Sequence, residues 1–319
     1  METQNWSNLP EALSLQEDFS SLFFDKKDLS LKQKQEILKT FVLSLHSEAS
    51  GICDAVNYKD HRLLPDVADT QKILYKSVDA YRYILAILNL WGVSPSDFAG
   101  ALEQKDEYLH FRYKLSHRTW SGEPIVLFDL DDVIAEFRES FCDFVTKRSG
   151  VQISPESSEY YNISKFKEHN LDNEFYFRSF IENHGFLNLR INPFYARFMS
   201  NLRDAGFWVQ VLTARPEKDL TCFYDTYSWL YRNDIPADGV AFATEKFSWA
   251  ASQKFYTKAK MFAVDDSAKH AAEYAKHGVS VILPEKPYNR EVYRVSNIHP
   301  IPEGIDPYKF KKSFIESYL

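Results

Sequence analysis

The chain has few cysteines, no long apolar run and no excess of basic residues. Its three cysteines, Cys53, Cys142 and Cys222, are scattered and odd in number. This argues against a disulfide framework or a cysteine-rich zinc site. We expect the three cysteines to be buried and to act as small apolar side chains. No apolar run approaches the length that crosses a membrane, and the acidic N-terminal segment lacks the apolar core of a signal peptide. We therefore expect a cytoplasmic protein that does not engage membranes.

The charge balance bears on the class of ligand. The formal net charge is −7 at pH 7, which disfavours a general nucleic-acid-binding protein, although a local basic patch would escape this average. Small anionic substrates remain compatible with it. We find no internal repeat and no low-complexity tract. The 319 residues, 45% of them hydrophobic, suffice for two domains with separate cores.

The pattern of apolar residues changes near residue 118. Before it, apolar residues recur at helical spacing, which predicts an all-α domain over residues 1–118. The aperiodic segment 116–124 contains Gly122 and Pro124 and is interpreted as a linker. Beyond it, strands alternate with helices, which predicts an α/β domain over 119–319 with a Rossmann-like, doubly wound parallel sheet. The predicted strands lie near 125–129, 207–213, 239–243, 261–265 and 279–283.

The first of these strands ends in two carboxylates. Residues 125–133 read IVLFDLDDV, an apolar run that leads into Asp129 and, two positions later, Asp131. The carboxyl end of such a strand faces the sheet edge where open α/β folds bind ligands. The arrangement suits a nucleophile and its proton donor that share a Mg²⁺ ion. Apolar strands that end in aspartate are common, however. Whether these two carboxylates are catalytic therefore depends on which residues end the other strands.

Two later strands end in complementary groups. Residues 207–216 read FWVQVLTARP, so Thr213, Ala214 and Arg215 stand where a strand passes into a helix. A hydroxyl and backbone N–H groups at such a junction can hold a phosphate oxygen. Residues 260–267 read KMFAVDDS and end in Asp265 and Asp266. Adjacent acids at a strand end are costly without a cation, so we expect them to bind a metal.

These three strand ends resemble the motifs of the haloacid dehalogenase-like (HAD) phosphohydrolase superfamily. The first motif of that superfamily is written hhhhDxDx[TV], and Val133 occupies its last place. The resemblance covers about residues 119–319. It implies that Asp129 attacks phosphorus to form an aspartyl-phosphate, that Asp131 acts as acid and base, and that Thr213 holds the phosphate.

The same resemblance implies a Mg²⁺ cofactor. Asp129 and Asp265 would bind the metal, and Asp131 would add its backbone carbonyl. Asp266 would either bind through a water or orient its neighbours.

The lysine of the third motif has three candidates. Lys246 follows the strand-like GVAFAT and would open a helix, which is the usual place for a lysine that neutralises the phosphate and the nucleophile. Lys254 and Lys258 lie closer to Asp265 and would serve if that helix were short. Each is alternatively a solvated helix lysine. We favour Lys246.

The first crossover is far longer than the others. Residues 150–193 exceed what one helix needs to return to the sheet, and in this superfamily such an excess is a mobile helical cap. The cap closes over the substrate and excludes water. Its Tyr, Phe and Asn residues could stack on a base or form a small core of their own.

Within the superfamily, LFDLDDVIAEF, LTARP and FAVDDS are most similar to the 5′-nucleotidase and deoxyribonucleotidase branch. Members of that branch often carry a Pro-Tyr-Asn turn after the last strand, here Pro287, Tyr288 and Asn289. Asp132 stands where many relatives have glycine, which leaves the chemistry intact. The resemblance implies a phosphomonoesterase of nucleoside 5′-monophosphates. Phosphorylated nucleic-acid ends, sugar phosphates and a nucleotide-sensing regulatory protein with weak phosphatase activity are the alternatives.

Residues 1–118 resemble the all-α nucleotide pyrophosphohydrolases of the MazG and dimeric dUTPase type. Those enzymes bind Mg²⁺ with ExxE and ExxD pairs, because a spacing of three places both acids on one helix face. Here the pairs read Glu48 with Gly51 and Lys76 with Asp79. Two of the four carboxylates are missing, so we expect a degenerate domain that binds metal poorly.

A basic pair leaves the role of this domain open. Lys105 and Arg112 match the family's trailing basic residues and could still hold a phosphate. The domain is therefore either an inert helical bundle that mediates homodimerisation or a nucleotide sensor.

Overall fold

The computed structural model describes residues 9–23, 28–56, 68–154, 171–253 and 258–319. The chain forms two compact units, Met1–Glu103 and Gln104–Leu319. The boundary between the two units lies within a helix. The pattern of apolar residues in the sequence instead changes near residue 118. None of the described helices combines the length and the apolar character that crossing a membrane requires.

The first unit is helical, as predicted. It contains α1 (Leu9–Ser21), α2 (Leu31–Cys53), α3 (Thr70–Leu90) and the first half of α4 (Pro95–Ser116). Ser30 and Gln33 form a capping box at the start of α2, and Asp69 caps α3. Leu9, Leu13 and Leu85 form its small buried cluster.

Helices α2 and α3 leave many apolar side chains exposed. None of the 23 residues of α2 is buried. Leu43, Leu74 and Tyr75 are 71%, 59% and 67% exposed. Exposed apolar side chains in this number are typical of a surface that another protein covers.

The second unit is built on a six-stranded sheet in which all neighbouring strands are parallel. The strand order is β3-β2-β1-β4-β5-β6. The strands are β1 (Ile125–Phe128), β2 (Trp208–Thr213), β3 (Gly239–Phe242), β4 (Met261–Val264), β5 (Ser280–Pro284) and β6 (Ile298–Ile301). The predicted doubly wound sheet is confirmed. The sequence missed β6 because its residues read IHPI; a proline weakens a strand signal and is tolerated at a sheet edge, where β6 lies.

Helices cover both faces of this sheet. Alternate residues of β1 enter two separate cores, Val126 and Phe128 in one and Ile125 and Leu127 in the other. The helices are α5 (Phe137–Ser149), α6 (Asn173–Glu182), α7 (Pro193–Asp204), α8 (Leu220–Arg232), α9 (Lys246–Ser252), α10 (Ala268–Lys276), α11 (Pro307–Phe310) and α12 (Lys312–Glu316).

The long crossover is helical where it is described. Its residues 155–170 lie outside the described residues, and the remainder contains α6 and a 3₁₀ turn at Phe186–Asn188. Phe180 and Phe186 are buried, and their ring centroids lie 5.4 Å apart. Both rings also pack against Phe137 of α5. Both belong to the same buried cluster as Phe128 of β1, so they extend the core of the second unit and do not form a separate core of the crossover.

The cysteines only partly match their predicted burial. None of the three forms a disulfide, and Cys142 and Cys222 are buried. Burial raises the pKa of the Cys222 thiol to about 12, which disfavours the thiolate form. Cys53 is exposed at the end of α2, so the prediction of burial was wrong for this residue.

Candidate active site

Strand register brings the predicted site residues to one edge of the sheet. Phe128 of β1 pairs with Val264 of β4, so the next residues, Asp129 and Asp265, emerge side by side. The backbone N–H of Asp129 donates to the carbonyl of Val264 at 2.9 Å. On the other side of β1, Thr213 closes β2. Because β1 lies between β2 and β4, the strand order reverses here, where open α/β sheets form their ligand crevice.

Three aspartates form a buried cluster at this edge. Asp129, Asp265 and Asp266 are each less than a tenth exposed, and one carboxylate oxygen from each lies within 4.8 Å of the others. Burial raises the pKa of Asp129 to about 7 and that of Asp266 well above its ordinary value, and the neighbouring carboxylates act in the same direction. Such a cluster requires positive charge close by. Its hard oxygen donors fit Mg²⁺.

Lys246 provides part of that positive charge. It begins α9 and is almost fully buried, and its Nζ lies 2.6 Å from Oδ2 of Asp129 and 2.8 Å from Oδ2 of Asp265. Burial alone would lower the pKa of Lys246, but the two carboxylates raise it above its ordinary value, so the ammonium stays charged. Burial likewise opposes ionisation of Asp265, yet Lys246 and His270 hold its pKa down at about 2. Asp265 is therefore ionised.

Of the other two candidate lysines, the structure describes Lys258 alone. Lys258 is exposed, and Lys254 lies outside the described residues. Of the two described candidates, it is Lys246 that contacts the aspartate cluster.

Asp131 is held by an arginine. Nε and Nη2 of Arg215 donate to the carboxylate of Asp131 at 3.0 and 2.7 Å. Nη1 of Arg215 donates to Thr226 Oγ1 at 3.1 Å, and the guanidinium lies 4.3 Å from the centre of the Phe186 ring. Two parallel hydrogen bonds fix both the position and the plane of the carboxylate. Arg215, which the sequence places at the phosphate-binding turn, is thus a partner of Asp131 in this structure.

The rest of that turn is close by. Thr213 is fully buried, and its Oγ1 accepts the N–H of Arg215 at 3.3 Å. Ala214 is exposed.

Asp132 adopts a backbone conformation that glycine, the residue expected here from the resemblance, would adopt freely. Its φ of +57° lies in the left-handed region, which glycine adopts freely and aspartate tolerates better than most residues. Its side chain accepts the backbone N–H of Arg138 at 2.8 Å, and its own N–H donates to Ala135 O at 2.7 Å. These bonds stabilise the turn that carries Asp131.

Further residues around Asp266 complete the site. The hydroxyl of Tyr288 donates to Oδ2 of Asp266, and the Asn289 amide donates to its backbone carbonyl at 2.7 Å. The guanidinium of Arg138 lies 4.4 Å from the centre of the Tyr288 ring. The sequence identified the Pro-Tyr-Asn turn without a role for it. It gave no signal for Arg138, or for His270 beside Asp265, because single basic residues are common on the solvated faces of helices.

Asp132 and Val133 line a polar cavity of about 280 Å³. Arg138, Asn192 and Lys286 are among its lining residues. It provides space beside the turn that carries Asp131.

In the first unit, Lys76 of α3 contacts Glu48 and Gly51 of α2. Nζ of Lys76 lies 2.7 Å from Oε2 of Glu48, and this hydrogen bond raises the pKa of Lys76. A Cβ at Gly51 would stand 3.1 Å from Cδ of Lys76, so the missing side chain leaves room for the lysine. Gly51 and Lys76 therefore fit each other, and the lysine ammonium neutralises Glu48.

Comparisons with known proteins place residues 123–303 in a family. These residues, more than half of the chain, match the model of the family described as 5′ nucleotidase, deoxy (Pyrimidine), cytosolic type C protein. No curated protein matches the chain significantly.

Solved structures show a more distant likeness. A haloacid dehalogenase-like hydrolase from Streptococcus pneumoniae is 13% identical, with 61% of this chain and 100% of that chain covered and a TM-score of 0.45. A HAD family hydrolase from Deinococcus radiodurans R1, solved with bound phosphate and sodium, is 12% identical, with 61% and 98% covered and a TM-score of 0.44. At these scores the likeness carries no argument about this chain.

Proposed function

The chain belongs to the 5′-nucleotidase, deoxy (pyrimidine), cytosolic type C protein family, and from this premise we propose that it hydrolyses nucleoside 5′-monophosphates. The observation that carries the proposal is the buried group in which Lys246 joins Asp129 to Asp265, with Asp131 two residues from the nucleophile. A nucleophile, a phosphate-neutralising cation and a positioned carboxylic acid are what phosphomonoester hydrolysis needs.

Asp129 is the nucleophile of the proposed reaction. Its Oδ1 accepts the N–H of Leu130 at 2.7 Å and its Oδ2 contacts Lys246, so the carboxylate is fixed before the substrate arrives. It attacks phosphorus, the ester bond breaks, and the leaving oxygen takes a proton from Asp131. Asp131 then takes a proton from the water that hydrolyses the aspartyl-phosphate. Lys246 and Thr213 stabilise the phosphoryl oxygens.

Asp129, Asp265, Asp266 and the backbone carbonyl of Asp131 would hold the Mg²⁺ ion. When bound, the ion neutralises the clustered carboxylates and polarises the phosphoryl group. Tyr288 and Asn289 fix Asp266 through its side chain and its backbone.

Asp131→Asn tests the assignment of acid and base. We expect a loss of turnover comparable with that of a nucleophile variant but with trapped phosphoenzyme, because an amide cannot activate the hydrolytic water. Mass spectrometry after a rapid quench measures the trapped species. Normal turnover by this variant would show that another group carries the protons.

Arg215→Lys tests whether Arg215 is a positioning residue. Lysine keeps the charge but loses the two parallel hydrogen bonds to Asp131, so we expect kcat to fall about 10- to 100-fold with little change in KM. Arg203→Lys is the matched control, since Arg203 bonds Asp238 away from the aspartate cluster. A raised KM with unchanged kcat would instead assign Arg215 to phosphate binding, the role that the sequence predicts.

The substrate class needs its own experiment. Sugar phosphates and phosphorylated nucleic-acid ends would use the same catalytic residues, so these residues alone do not select the substrate. We expect a phosphate-release screen with Mg²⁺ to favour nucleoside 5′-monophosphates over sugar phosphates and over 3′- or 5′-phosphorylated oligonucleotides. A preference for either of the other groups would replace the proposed substrate.

The first unit has no pyrophosphohydrolase activity in this proposal. Lys76 forms an ion pair with Glu48, and the positive charge of the lysine opposes metal binding by this glutamate. Full-length Asp129→Asn protein should release no pyrophosphate from nucleoside triphosphates with Mg²⁺. Release that is lost on a further Asp79→Ala change would show an active second site.

The exposed apolar face of α2 and α3 leads us to propose a homodimer through the first unit. Sedimentation of the full-length protein should show a dimer. A monomer at all concentrations, or a dimer that Leu43→Glu with Leu74→Glu leaves intact, would contradict this arrangement.

A further inference from the structure

Arg138 places a buried positive charge at the start of α5. The residue is 9% exposed, and among the residues that the structure describes its Nε and Nη1 atoms are buried without a hydrogen-bond partner. Burial of such donors costs free energy on folding, because water would hydrogen-bond to them in the unfolded chain. The buried guanidinium therefore needs an explanation other than stability.

The backbone of Arg138 holds the turn that follows β1. Its N–H donates to Oδ1 of Asp132 at 2.8 Å. The first N–H groups of a helix have no partner within the helix, and Glu136, the residue before α5, provides no side-chain cap. Asp132 satisfies one of these groups instead. It directly follows Asp131, whose backbone carbonyl is assigned to the Mg²⁺ site, so Arg138 stabilises one side of that site.

The side chain of Arg138 contacts a residue on the other side. Its guanidinium lies 4.4 Å from the centre of the Tyr288 ring, within the range of a cation–π contact, and such contacts gain strength away from water. The Tyr288 hydroxyl donates to Oδ2 of Asp266. Because the arginine restricts the ring, it also restricts the position from which the hydroxyl holds this carboxylate.

An anion in the polar cavity of about 280 Å³ is the alternative partner for this guanidinium, since Arg138 lines that cavity. The other lining residues argue against it. Of the described residues that line it, two are cations, Arg138 and Lys286, and four are carboxylates: Asp132, Glu136, Glu139 and Glu303. Even with Arg190, which binds Glu136 and Glu139, three cations face four carboxylates. An anion would therefore meet a net negative surface.

We propose that Arg138 is a positioning residue for the Mg²⁺ site, an inference that rests on the function proposed above. Its backbone N–H fixes the turn of Asp131, and its guanidinium fixes Asp266 through Tyr288. Arg138 thus contributes to Mg²⁺ affinity without itself being a ligand. Replacement of residues that support metal ligands weakens metal binding by about 10- to 100-fold.

Calorimetry of Mg²⁺ binding to the full-length protein tests the role of Arg138. Arg138→Met removes the guanidinium, and we expect Kd for Mg²⁺ to rise about tenfold or more, with an unfolding temperature in chelator close to that of the wild type. Saturating Mg²⁺ should restore kcat, because the defect lies in metal affinity. Arg190→Met is the matched control: Arg190 is exposed, binds Glu136 and Glu139 beside the same helix start, and should leave Kd unchanged.

A second variant shows whether Arg138 acts through Tyr288. Tyr288→Phe keeps the ring but removes the hydroxyl that holds Asp266, and we expect a similar rise in Kd. In the double variant the arginine has no route to Asp266 left to lose, so Kd should match that of Tyr288→Phe. Effects that multiply would overturn the proposal. Arg138→Lys, which keeps the charge but loses the planar contact, replaces Arg138→Met in this comparison if the latter does not fold.

The wild-type measurement separates this proposal from the enzymatic one. Mg²⁺ binding that Arg138→Met leaves unchanged would overturn the role of Arg138 alone, and a lower unfolding temperature beside it would show a purely structural residue. Wild-type protein that binds no Mg²⁺ would overturn the metal assignment and the role of Arg138 with it. Inorganic phosphate that binds the wild type in chelator, but not Arg138→Met, would assign Arg138 to an anion site instead.

Discussion

Replacement of Asp129 by asparagine is expected to abolish phosphate release, to less than about 1% of the wild-type rate. An amide has the shape of the carboxylate but cannot attack phosphorus to form an acyl phosphate. The fold should survive, because Lys246 keeps Asp265 as its ion-pair partner at 2.8 Å. The variant also removes one of three crowded buried carboxylates, which relieves repulsion in the folded state.

Two measurements complete this test. Phosphate release and thermal unfolding are compared for the wild type, Asp129→Asn and Asp204→Asn, in which an exposed aspartate at the end of α7 is changed. We expect Asp204→Asn to behave as the wild type in both. More than a few per cent of the wild-type rate in folded Asp129→Asn would remove Asp129 from the role of nucleophile.

The sheet could be predicted because its signal is local. Each predicted strand is a short, mainly apolar run, and β1, β2 and β4 are buried along their whole length. Parallel strands place their carboxyl ends at one edge, so the order of Asp129, Thr213 and Asp265 along the sequence already implies that they meet. The family match to residues 123–303 confirms the resemblance to HAD-like phosphohydrolases.

The partners of these residues could not be predicted, because they depend on side-chain direction. Arg215 follows Thr213 by two residues, and nothing in the sequence says whether its guanidinium faces the phosphate or Asp131. Tyr288 lies 22 residues beyond Asp266, and the bond between them exists only once β5 has brought the turn back to the sheet edge. In the first unit, the sequence shows that two of the expected acids are missing. It does not show that Lys76 contacts Glu48, or that Gly51 leaves room for the lysine side chain. The resemblance of this unit to nucleotide pyrophosphohydrolases is not confirmed by the comparisons.

Removal of divalent metal is expected to stop phosphate release, and Mg²⁺ to restore it. The carboxylates of Asp129, Asp265 and Asp266 lie within 4.8 Å of one another, and Lys246 contacts two of them. Burial raises the pKa of Asp129 to about 7, so without a further cation the nucleophile is only partly ionised near neutral pH. A cation that binds the folded protein alone also stabilises it, by about 2.7 kcal/mol at a concentration one hundred times its Kd. Mg²⁺ should therefore raise the unfolding temperature of the wild type, and much less that of Asp265→Asn. Asp204→Asn should respond to Mg²⁺ as the wild type does. Full phosphate release in chelator, together with an unfolding temperature that Mg²⁺ leaves unchanged, would show that Lys246 alone balances the aspartates and that the reaction needs no metal.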